Sequence, residues 1–225
     1  MPEYLAAVDQ IPHFLGLAFT KPIPGTGQDG SPNWSIWMGA VFYSVILLIA
    51  VTMVYRYKPK SPPKISLQFD PKLKGLGGWL ILLGFGLIIG VLAHIGFMIK
   101  TSHSYSVQNW RAYTDPANAA YNALTAPLLL FELFTQLTFL FFGILLVLLF
   151  FQKRRIFPIL LIIYLSFQFI AVTLDQGLAQ TLKVKGVITN THATPIPPVG
   201  QTLAPLIIWS LYLTRSKRVK LTFQN

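Results

Sequence analysis

Residues 127–151 read PLLLFELFTQLTFLFFGILLVLLFF, and Gln152, Lys153, Arg154 and Arg155 follow at once. As a helix this stretch is long enough to cross a hydrocarbon core of ~30 Å, and the basic cluster stops it at an interface. Its one charge is Glu132. A carboxylate inside a spanning helix costs ~2.5–3.5 kcal/mol on insertion scales, so Glu132 is expected to face protein or a wet cavity rather than lipid.

Composition extends that reading to the whole chain. Hydrophobic residues make up 53% of the 225 residues and charged residues 11%, and the mean hydropathy is +0.57. A soluble domain carries about 25% charged residues, so a soluble fold could not cover itself. The chain is expected to be an all-α, multi-pass transmembrane helix bundle. The net charge of +11 sits beside hydrophobic helices, which points to orientation in a membrane and contact with lipids, not to nucleic acid. The absence of cysteine excludes disulfides, thiolate metal sites and cysteine nucleophiles.

Five spans are expected. Residues 1–33 form an extracytoplasmic amino-terminal arm, without the pattern of a signal peptide. The first span runs from Trp34 to about Tyr55, within an additional transmembrane segment over residues 34–57. Residues 58–74, with Pro59, Pro62, Pro63 and Pro71 among lysines, form a basic cytoplasmic connector. Residues 75–214 form a four-helix membrane domain with spans over 75–99, 127–151, 157–176 and 199–214, the last containing Pro205. Between residues 100 and 126 lies a polar, aromatic loop whose Trp110, Tyr113 and Tyr121 suit the headgroup layer. A basic tail, 215–225, ends the chain. In the second span Gly86, Gly90 and His94 recur every four residues, a small-residue face that lets another helix approach closely and turns His94 inward.

Charge asymmetry orients the bundle. Arg56, Lys58, Lys60, Lys64, Lys72, Lys74, Lys153, Arg154, Arg155, Arg215, Lys217, Arg218 and Lys220 fall on one side, against Lys21, Lys100, Arg111, Lys183 and Lys185 on the other. The positive-inside rule then places the amino terminus outside and the carboxyl terminus in the cytoplasm. At ~1.5 Å per residue, Glu132 lies roughly 8 Å below the outer end of its span, and His94 and Asp175 each roughly 27 Å from the inner ends of theirs. Gln136 and Gln168 extend this polar level inward. Glu132, Asp175, His94, Gln136 and Gln168 are therefore expected to form one intramembrane cluster opening toward the outer face.

Several chemistries compete for that cluster. Two carboxyls and an imidazole suit a proton or cation site. A metal site lacks any close HxxxH or ExxH spacing. His94 could ligate a haem- or chlorophyll-type macrocycle, though no second facing histidine is evident. The structural alternative is a set of interhelical hydrogen bonds worth ~0.6–2 kcal/mol each. No phosphate-binding loop, HExxH or GxSxG is present, and nothing in the sequence requires a cofactor.

Toward the carboxyl end, Ile208-Trp209-x-x-Tyr212-x-x-x-Ser216-x-Arg218-Val219-x-x-Thr222-Phe223, together with Gly75-x-Gly77-Gly78-Trp79-Leu80 and with Trp110, Tyr121, Pro127 and Phe131-Glu132, resembles the domain of unknown function 2569 family of bacterial inner-membrane proteins. The resemblance covers about residues 72–223, with Leu211 where the pattern has proline. It implies a four-helix membrane domain in the bacterial inner membrane, without an established activity. The terminal motif places Trp209, Tyr212, Arg215, Lys217 and Arg218 at the inner headgroups. Two functions stay open: a non-enzymatic accessory or structural subunit docking on protein partners in a larger membrane complex, and a small transporter or sensor using the Glu132, Asp175 and His94 cluster.

Overall fold

The structure, a computed structural model, describes residues 31–57, 75–118, 121–184 and 198–224. The amino-terminal arm before residue 31, the connector at 58–74 and the proline-rich segment at 185–197 lie outside the described residues.

Among the described residues seven α-helices follow one another: α1 (Trp34–Arg56), α2 (Trp79–Thr101), α3 (Val107–Thr114), α4 (Thr125–Phe151), α5 (Phe157–Val184), α6 (Pro198–Arg215) and α7 (Lys217–Thr222). No strand occurs among the described residues. In hydrocarbon every backbone N–H and C=O must be satisfied within the segment, and runs this apolar achieve that as helices. Four helices, α1, α2, α4 and α5, are long and apolar enough to cross a membrane. The fifth expected span is α6, an 18-residue helix with Pro205 inside it, shorter and more polar than the others.

Helix α4 is the hub. More than half of its most apolar window, 56%, is buried, against 17–22% for α1, α2 and α5. It packs against α1, α2, α3 and α5, while α6 lies along α5. At the end of the bundle where α4 begins, Ile36, Ala40 and Leu47 of α1 join Tyr105, Leu128, Leu129, Leu133 and Leu137. At the other end Leu80 and Leu83 of α2 join Leu145, Leu146, Leu149, Phe150, Phe157 and Leu213. The Tyr43 hydroxyl lies 2.8 Å from Thr138 Oγ1. Because Thr138 donates its own proton to the Phe134 carbonyl, Tyr43 is the donor across α1 and α4.

The stop after α4 has a local cause. Lys153 adopts φ 55°, its N–H bonds to Phe150 O, and the Arg154 N–H reaches back to Leu149 O, the paired closure of a left-handed helix C-terminus. The Arg154 guanidinium lies over the Tyr55 ring and donates to Tyr55 O, tying this turn to the end of α1.

Two expectations need correction. The segment after α2 is not simply a loop: a 3-10 turn (Ser102–Tyr105) leads into α3, capped by Ser106 Oγ accepting from Asn109 N. Tyr113 is buried rather than resting among headgroups, and Tyr105 is buried as well. This segment is pinned by Asn33 N donating to Tyr105 O and Val107 N donating to Ser31 O.

The expected helix-packing face at Gly86 and Gly90 receives none of the described helices closely, since a Cβ at either would meet nothing within 4 Å. Close approach of α2 and α4 is instead made at Gly84, where a Cβ would sit 2.8 Å from Phe150 Cε1, and at Gly143, where it would sit 3.1 Å from Val91 Cγ2. The α2–α4 contact follows the Leu80, Leu83 and Gly84 face of α2, and Gly86 is turned away from it.

The tail, expected at the inner headgroups, is folded as a helix. Arg215 and Lys217 are exposed, but α7, capped by Ser216 Oγ accepting from Val219 N, folds back beneath the bundle. Val219 and Phe223 are buried there, with Phe223 stacked on Phe157 at 4.7 Å. Its i, i+4 apolar pair is strong enough to dock a segment otherwise rich in Lys and Arg.

Candidate functional site

Polar side chains from α2, α4 and α5 meet inside the bundle. Helical periodicity puts Glu132 and Gln136 one turn apart on the same side of α4, and both are buried, as are His94 on α2 and Asp175 on α5. His94 Nδ1 lies 2.7 Å from Gln136 Oε1. With the amide oxygen as acceptor, Nδ1 carries the proton and the bond fixes the imidazole tautomer. The ring also packs at 5.4 Å on Phe139.

The carboxyl groups of Glu132 and Asp175 are close enough to interact directly, yet none of their four oxygens meets hydrogen-bond geometry with a donor. Gln176 lies beside Asp175, but its amide nitrogen also falls outside hydrogen-bond geometry. Tyr105 comes near Glu132 and donates to Leu129 O at 3.3 Å. Gln136 Nε2, Ser104 Oγ and Thr125 Oγ1 are likewise buried without a partner. Each such group costs about 1–3 kcal/mol, and more if charged. Their concentration toward one end of the bundle is the least satisfied part of the described structure.

Gln168, expected in the same cluster, borders it only on the His94 side. It lines a cavity of about 270 Å³ together with Gly86, Gly90, His94, Tyr164 and Trp209. Pockets for drug-sized ligands hold ~300–1,000 Å³, so a haem- or chlorophyll-type macrocycle on His94 does not fit. Among the described residues no three His, Asp or Glu gather closely enough to hold a metal ion. Tyr105 and Gln176 were not legible as members of this site: one sits in the segment read as a loop, the other beside Asp175 with no spacing to single it out.

The recurrent motifs build a different feature, a clasp at the basic end of the bundle. Gly75 N donates to Thr222 Oγ1 at 3.2 Å, and that hydroxyl donates to Gly75 O at 3.1 Å. Gly75 and Gly78 hold φ 129° and 61°, which glycine alone adopts at little cost. At Gly77 a Cβ would collide with the Arg218 guanidinium. The glycine motif before α2 and the Ser216-to-Phe223 motif are thus two halves of one closure, and neither touches the carboxyl pair.

No curated protein and no solved structure matches the chain. The family described as a protein of unknown function, DUF2569, matches residues 73–224, a span that leaves α1 outside it and takes in both halves of the clasp, and the chain belongs to that family.

Proposed function

We propose that the chain is a small proton-responsive sensor or transporter of the bacterial inner membrane, with Glu132 and Asp175 as the proton-binding pair. The observation that carries this is the meeting of two fully buried carboxyl groups with no donor in hydrogen-bond geometry to either. A single proton on one oxygen supplies the missing donor and removes one of two like charges. A hard cation such as calcium takes six or more oxygen ligands, more than this pair offers. His94, joined to Gln136, continues the polar seam from the carboxyls toward α2.

In this reading α6 is the fifth crossing, the amino terminus is outside, and the basic end with Arg56, Arg154 and Arg218 faces the cytoplasm. The pair then sits in the outer half of the bilayer. The test is infrared spectroscopy of the protein in lipid nanodiscs at neutral pH. A protonated-carboxyl carbonyl band that disappears in Glu132→Gln with Asp175→Asn supports the proposal; a wild-type spectrum without that band refutes it.

One observation favours a second reading, an accessory subunit of a larger inner-membrane complex. Helix α1 lies outside the family match and packs on α4 through one narrow face. It leaves Met38, Val41, Phe42, Val45 and Met53 exposed, a surface for lipid or for a partner helix. Purification in mild detergent separates the two readings: a stoichiometric partner that is lost when the exposed α1 face is made polar favours the subunit.

A further inference from the structure

We propose that the groove between α2 and α6 binds an uncharged, planar, carbonyl-bearing membrane amphiphile, a quinone-like head group on an apolar chain. Helices α2 and α6 flank α4 and α5 without packing along one another, and the space between them is the cavity of about 270 Å³. Gly86 and Gly90 form one wall, with nothing within 4 Å of where their Cβ atoms would be. That leaves a flat strip facing Tyr164 and Trp209, the geometry in which an aromatic or quinonoid ring stacks.

The polar groups inside the groove select the chemistry. No side-chain hydrogen bond joins Gln168 to another described residue. It stands ~16 Å along α5 from Phe157, near the middle of a hydrocarbon core of ~30 Å. Lipid tails offer an amide at that depth no partner. A phospholipid keeps its charged head at the surface, so its acyl chain would leave Gln168 unsatisfied. A neutral ring carbonyl that reaches the bilayer centre accepts from the Gln168 amide, and the Trp209 indole N–H is a second neutral donor on the opposite wall. No Lys, Arg, Asp or Glu lines the groove, and His94 on its wall is joined to Gln136 through Nδ1, which fits an uncharged ligand. The volume holds a single ring, and the apolar chain leaves through the bilayer-facing opening. This inference is independent of the carboxyl pair.

The experiment is titration of a decyl-substituted benzoquinone into the full chain in nanodiscs, read as quenching of tryptophan fluorescence. Saturable quenching is expected, with its saturable component lost in Trp209→Phe and in Gly90→Leu, which fills the groove. Gln168→Leu keeps the shape of the wall and weakens binding about tenfold, the loss of one hydrogen bond to a buried amide. Thermal unfolding of each variant in the same discs verifies that it is folded. Non-saturating quenching, equal in wild type and Gly90→Leu, means partition into lipid and overturns the proposal. Saturable quenching by a brominated phosphatidylcholine that the quinone does not displace assigns the groove to an acyl chain and overturns it equally.

Discussion

Replacing Thr222 by Val tests the clasp with little change of shape. The Thr222 hydroxyl both accepts from Gly75 N and donates to Gly75 O. Valine deletes both bonds, but the two Gly75 groups lose unequally, because Gly77 N also donates to Gly75 O at 3.0 Å. The carbonyl keeps a partner, while the Gly75 N–H is orphaned. A fully buried orphan costs about 1–3 kcal/mol; Gly75 is half-buried, so ~1–2 kcal/mol is expected. At ~2–4 °C per kcal/mol for a chain of this size, the midpoint of thermal unfolding falls by ~2–8 °C. Hydrogen exchange at the Gly75 amide is the more specific assay, and its protection should drop about tenfold for each 1.4 kcal/mol. Thr222→Ser retains the hydroxyl and should retain that protection. If the Gly75 amide stays as protected in the valine variant as in wild type, the closure is made by Phe223 and Val219 packing and the hydrogen bonds are incidental.

Two further substitutions examine the interior. Gly84→Ala forces a methyl to 2.8 Å from Phe150 Cε1 and is expected to destabilise by ~1–3 kcal/mol. Gly86→Ala meets nothing and should be neutral or gain up to ~1 kcal/mol from helix propensity; denaturant titration in mixed micelles reads both, and equal losses would contradict the packing described. Glu132→Gln with Asp175→Asn replaces two acceptors by groups that each carry a donor, so thermal unfolding should occur at the wild-type temperature or above. A loss of the ~3–5 kcal/mol typical of a broken buried ion pair would show instead that a cation holds the carboxylates.

Much of this architecture is readable from the chain because a membrane allows few solutions. Runs such as 127–151 ended by Lys153 to Arg155 have to be helices with defined stops. Depth arithmetic along those helices puts Glu132 and Asp175 at one level, where the structure brings them together. Rotation about the helix axis is harder to read. The second span offers Gly84, Gly86, Gly90 and Gly96, and spacing singles out Gly86 and Gly90, whereas it is Gly84 that meets Phe150 of α4. Gln168 shares a stripe with Asp175, yet two helical turns carry it from the seam to the groove. The tail hides its fold because Lys217, Arg218 and Lys220 dominate its composition, while its docking depends on Val219 and Phe223.

The clasp also constrains the order of assembly. Its halves are 147 residues apart in sequence, so the helices from α2 to α6 must all be in place before Thr222 can reach Gly75. Insertion supplies the individual helices and closure comes afterwards, as a late, long-range event. A chain halted before that step would leave the glycine turn before α2 unlatched.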